Sequence, residues 1–137
     1  MPGLSVWMVR LSLVHLVAGS GLGALLLASR DLPRLAGIGG GLWGFRNVHL
    51  ETLLVGWMVQ LALGVAFWIL PRVGGERPRP LLAVAGAALL NAGVLAAAAG
   101  GAWEAEAWAV AGRSAEAAGA LLFGVHAWPR VLRFRDG

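Results

Sequence analysis

The sequence predicts an all-α fold: an integral membrane bundle of four transmembrane helices with both termini cytoplasmic. Three observations predict it. The 137 residues are 58% hydrophobic and 13% charged, far from the soluble average. The apolar residues fall into four stretches, each long enough to cross roughly 30 Å of hydrocarbon at about 1.5 Å per residue. The arginines stand at the ends of those stretches rather than in one patch.

The same figures bound the function. A single domain, 1–137, leaves no room for a separate soluble module. The net charge of +4, spread over helix ends, does not point to nucleic acid. The absence of cysteine excludes disulfides and thiolate metal sites. All 11 basic residues are arginine, and with so much Ala, Gly and Leu this points to a GC-rich bacterial genome. The expected location is the bacterial inner (cytoplasmic) membrane, as a multi-pass protein whose first partner is membrane lipid.

Helix I is expected at about 4–29. It reads as a membrane span rather than a cleaved signal, because Arg10 lies late for a basic leader and the apolar run is long. His15, Gly19 and Gly23 recur at intervals of four, and the glycine pair is a small-xxx-small face for close helix packing. The loop that follows holds a glycine run, 37–41. No strand precedes it and no lysine follows, so it reads as a turn and not a phosphate cradle.

Helix II, about 42–70, organises the chain. From Leu53 to Leu70 its only strongly polar side chain is Gln60, and Pro71 and Arg72 close it. With His49 at zero and about 100° per residue, Thr52, Gly56, Gln60, Gly64 and Phe67 all fall within about 60° of it. One stripe is therefore small and polar with a histidine at its head. Lipid gives no reason for such a stripe; a packed interior or a bound group does. Glu51 points away from the stripe by about 160° and does not count as a ligand.

Helix III, about 81–99, is nearly all Ala, Leu, Val and Gly, with Asn91 its only polar residue. Helix IV, about 105–128, places Arg113 and Glu116 within the hydrocarbon depth, one helical turn apart. They read either as a private ion pair or, for Arg113, as a partner of carboxylates on a bound group. Trp7, Trp43, Trp103, Trp108 and Trp128 lie near helix ends and read as interface anchors. Arg10, Arg72, Arg77, Arg79, Arg130, Arg133 and Arg135 fall on one side, against Arg30, Arg34, Arg46 and Arg113 on the other. Seven against four puts both termini inside.

The histidine near the outer start of helix II, the Gly56-Trp57 pair, the later glycine and the closing Leu-Pro-Arg resemble the second helix of heme-copper oxidase subunit I. The likeness is to its nitric oxide reductase-like branch and to short stand-alone relatives, and it covers about 26 residues. It implies heme, heme b in particular, with His49 as axial iron ligand. It implies a role in electron transfer or in binding a diatomic gas, nitric oxide or oxygen, with a respiratory electron donor. Arg46 and Arg113 become candidates for the heme propionates, Trp57 for packing on the macrocycle, and Gly56 and Gln60 for the stripe beneath it. The family's paired histidines, two residues apart on another helix, meet Asn47 at the earlier position, so that second ligand is missing. With three histidines scattered one per helix, the chain argues against a copper site.

His15 lies some 15 Å from His49 in depth, by helical rise, and reads as a packed, hydrogen-bonded histidine that remains in the candidate set. His126, at the far end of helix IV, reads as interfacial. The family's subunit I has about twelve helices in three pseudo-equivalent groups, which implies a homotrimer of this four-helix chain with helix II facing inward. The competing class is a non-catalytic structural or assembly subunit of a respiratory membrane complex without heme.

Overall fold

The computed structural model describes residues 1–31 and 45–132 of the chain. The turn at 37–41, residues 42–44 of the expected second helix, and Trp43, Arg34, Arg133 and Arg135 lie outside the described residues. Four long helical segments follow one another: α1, Gly3–Asp31; α2, Phe45–Ile69; α3, Pro80–Ala102; and α4, Glu106–Leu132. Every regular element among the described residues is helical.

Three of these helices, α1 to α3, are long and apolar enough to cross a membrane. By composition α4 is not, because its 27 residues carry Glu106, Arg113, Glu116 and Arg130. Leu13, Val17, Leu25, Leu81, Leu95 and Leu121 all point outward. An exposed apolar belt of this kind suits lipid and not water.

At one end of the bundle Phe67, Ala83 and Phe123 form a cluster, with Leu4 and Ala127 packed against it. The start of α1, the end of α2, the start of α3 and the end of α4 therefore meet, and the helices alternate in direction. Both ends of the described chain lie at this same end.

The pair α3–α4 is the tightest. Gly86 faces Gly119, Gly93 faces Gly112, and Gly100 faces Ala109. A Cβ on Gly112 would run into the Ala97 amide nitrogen, and one on Gly86 would stand 2.7 Å from the Gly119 carbonyl oxygen. The two backbones touch, which is how helices associate where no hydrophobic force drives them together. Asn91 satisfies its amide within α3, donating to the Ala87 carbonyl at 2.8 Å.

Between α2 and α3 the chain reverses through Gly74 and Gly75, at φ +64° and +86°. Val73 and Glu76 bond each other across that turn. Pro80 then opens α3, where a missing N–H costs nothing.

Candidate functional site

The stripe of α2 is built as the periodicity predicts. Thr52, Gly56, Gln60, Gly64 and Phe67 are the buried residues of this helix. Its partner is α1 of the same chain. Ser5 Oγ donates to the Gly64 carbonyl at 2.6 Å, and Gln60 Nε2 donates to the Met8 carbonyl at 3.1 Å. The small and polar residues are thus explained by close packing, and the stripe needs no second protomer to cover it.

The two histidines of this interface hold each other's helix. His49 Nδ1 donates to the Gly19 carbonyl at 2.8 Å. A Cβ on Gly23 would lie 2.5 Å from His49 Cε1, so the ring occupies a notch that only glycine leaves open. In the other direction His15 Nδ1 donates to the Gly56 carbonyl at 3.0 Å, and its ring lies against Gly56, where a Cβ would come within 2.8 Å of Cγ. The interval of four that links His15, Gly19 and Gly23 is therefore the face α1 turns to α2. A carbonyl can only accept, so both rings carry a proton on Nδ1, and in the neutral ring Nε2 keeps its lone pair.

A local irregularity makes the second of these bonds available. Thr52–Val59 is a π-helical segment within α2. The Gln60 N–H reaches back to Val55 and Trp57, passing over the Gly56 carbonyl. That carbonyl takes the His15 proton instead. Single π turns in an α-helix recur at functional sites, and this one lies between His49 and the Gln60 contact.

His15 and His49 do not converge. His49 meets α1 at Gly19–Gly23, four to eight residues past His15, which is roughly 6–12 Å along the axis. One iron does not span that offset.

The remaining sequence-predicted residues are dispersed. Arg46 and Asn47 are exposed at the start of α2, and Trp57 is half-buried. Gly56 faces His15 and Gln60 faces Met8. Arg113 stands on α4, where its Nε lies 3.6 Å from Glu51 Oε2. The expected private pair of Arg113 with Glu116 is not formed. Helical periodicity points to the acid one turn away on α4, while Glu51 on α2 is the one that packs opposite. Glu51, set aside because it faces away from His49, is nearly buried for that reason: it faces α4.

Glu116 is buried, in a notch opened by Gly93, whose Cβ would stand 2.6 Å from Glu116 Cγ. Its side chain meets that of Glu51. Among the described residues its Oε1 has no partner. Two carboxyls and one arginine thus link α2 to α4.

His126, expected near the end of the helix, stands there fully buried between the helices. Its Nδ1 donates to the Arg79 carbonyl at 3.2 Å, its ring stacks on Phe67 with centroids 5.3 Å apart, and its Nε2 accepts from Arg130 Nη1 at 3.1 Å. Arg130 is itself fully buried, and among the described residues no carboxylate pairs with it. It donates from Nε to the Pro71 carbonyl at 2.9 Å and from Nη2 to the carbonyls of Phe67, at 3.1 Å, and Leu70. Pro71 ends α2 and leaves its last carbonyls unpaired; one guanidinium caps them. The partial negative charge of that helix end takes the place of a counter-ion. The only signal in the sequence was an arginine four residues after a histidine; Pro129, expected to close the helix, lies inside α4.

No group of three or more His, Cys, Asp or Glu side chains converges on a metal-sized space among the described residues. No family model, curated protein or solved structure matches the chain.

Proposed function

We propose that the chain is a membrane heme-binding protein of the bacterial cytoplasmic membrane, with heme b held by His49 and a role in electron transfer or diatomic gas binding. The observation that supports the reading is the seating of His49. Its Nδ1–H is held by the Gly19 carbonyl at 2.8 Å, in the notch left by Gly23. An imidazole fixed in this tautomer offers Nε2 as a ligand, and the backbone bond raises its basicity. The donor chemistry fits a heme iron, for which one axial histidine suffices. Heme would supply the redox and gas-binding chemistry, while the protein sets the ligand and the apolar surroundings.

His49 alone carries the ligation in this reading. Gly56 and Gln60 serve the α1–α2 seam, and Arg113 serves Glu51. A further copy of the chain, in a trimer by the family likeness, would cover what α1 leaves open around the partly buried His49.

The second reading is a structural or assembly subunit of a respiratory membrane complex without heme. It is favoured by the α2 stripe, which α1 already fills. An absorbance spectrum of protein purified from heme-replete cells separates the two. A Soret band that moves on dithionite reduction supports heme; a colourless preparation overturns it in favour of the structural subunit.

A further inference from the structure

A different feature lies at the end of the bundle where α2 stops. The segment joining α2 to α3 carries Arg72, Arg77 and Arg79 against one acid, Glu76. Arg77 is fixed in place: its Nε donates to the Phe67 carbonyl at 3.5 Å, and its guanidinium carbon lies 5.1 Å from the Phe67 ring centroid. Among the described residues neither Arg72 nor Arg77 is paired with a carboxylate.

Two clefts open on either side of these arginines and share Pro2, Arg72 and Arg77. One, of about 430 Å³, runs past Trp68 and Pro71. The other, of about 490 Å³, continues past Phe67 to Leu4 and Val84, with Glu76 on its rim. From Leu4 and Val84 a third cleft of about 430 Å³ carries on between α1 and α3, past Trp7 to Ala87 and Ala88. The result is one track: a cationic mouth at the helix ends, then an apolar trough. From Pro80 to Ala88 it follows α3 for about 12 Å.

We propose that this track binds one anionic phospholipid, its phosphodiester at Arg72 and Arg77 and one acyl chain in the α1–α3 trough. This rests on the reading of the chain as membrane-embedded and on neither histidine. Guanidinium forks match phosphate oxygens, and cationic residues at a helix end attract anionic headgroups. The trough runs along the helix axes, as an acyl chain does in a bilayer. A peptide there would leave backbone N–H and C=O groups unpaired against Leu4, Val84 and Ala87, whereas a hydrocarbon chain leaves nothing unpaired.

Native mass spectrometry of the full chain in mild detergent tests it, with phosphatidylglycerol and phosphatidylcholine of the same chain length added together. One phosphatidylglycerol should be retained with at least about tenfold preference, since two arginines near a headgroup are worth about one decade or more. Arg72→Gln/Arg77→Gln should abolish the preference. Arg72→Gln alone, at an exposed position, should reduce it without touching the Phe67 contact and so covers the case in which the double variant does not fold. Ala88→Phe, which fills the trough, should weaken retention, and Arg46→Gln at the opposite end should change nothing. Equal retention of the two lipids, or an unchanged preference in Arg72→Gln, overturns the proposal. Undiminished retention in Ala88→Phe overturns the placement of the acyl chain.

Discussion

Two glycines of α1, two residues apart, should respond to alanine in opposite senses. A Cβ on Gly23 would stand 2.5, 2.9 and 3.3 Å from His49 Cε1, Nδ1 and Nε2, whereas one on Gly21 meets nothing within 4 Å. Ordinary carbon contacts begin near 3.5 Å, so Gly23→Ala pushes the ring back by roughly 1 Å. The ring can swing away cheaply, but only by giving up its bond to the Gly19 carbonyl, now 2.8 Å. Overpacking costs about 1–3 kcal/mol and the hydrogen bond about 0.5–1.5 kcal/mol. Helix propensity returns about 1 kcal/mol in either variant. Gly23→Ala should therefore lose about 1–3 kcal/mol while Gly21→Ala gains up to about 1 kcal/mol. Unfolding in detergent, followed by circular dichroism against added denaturing surfactant, measures the difference. Heme content by pyridine hemochrome assay on the same samples reads the ligand: Gly23→Ala should bind less heme and Gly21→Ala as much as the parent. Two variants of equal stability and equal heme content would refute the notch.

His49→Ala should remove most of the heme while His126→Ala keeps it, with occupancy measured by pyridine hemochrome; full occupancy without His49 sinks the assignment. His126→Ala should still destabilise the fold by about 2–4 kcal/mol, since it hollows the contact with Phe67 and leaves Arg130 short of an acceptor, and a melting curve will show it. Arg130→Met strips the carbonyls at the end of α2 of their cap and should cost about 3 kcal/mol or more, read from the same melting curve. With His15 and His49 offset along the helix axis, reduced protein should bind carbon monoxide readily; a bis-histidine spectrum indifferent to carbon monoxide contradicts the single-ligand reading.

The sequence made the faces of the helices legible and left their partners hidden. Periodicity fixed which residues of α2 are buried, down to Thr52 and Phe67, because a helix repeats at a known angle. It could not say that α1 covers them, since nothing in one helix names the neighbour it packs on. The interval His15-Gly19-Gly23 carried that information only once α2 was seen to present His49 and Gly56 at matching heights. The π turn at Thr52–Val59 was invisible, because its residues have no propensity that sets them apart from an α-helix. The surroundings of Glu51 and Arg130 stayed hidden for a common reason: each is set against groups from a distant part of the chain, a second acid on α4 and the loose carbonyls at Pro71.

The glycine ladder between α3 and α4 bears on how the chain is made. Arg113 and Glu116 would each add about 2.5–3.5 kcal/mol to the insertion of a lone helix at mid-bilayer. The notch that receives Glu116 is cut in α3 by Gly93. On the proposed reading of the chain as membrane-embedded, a nascent α4 emerging next to α3 finds its backbone partner and the shelter for its acid at once, so the translocon should release the two as a hairpin. Glycosylation mapping of α4 alone and of the α3–α4 pair would measure this: the isolated helix should pass into the lumen, and the pair should stay. A chain cut before residue 106 would then lack a helix, while α4 deprived of α3 would lack its way into the membrane.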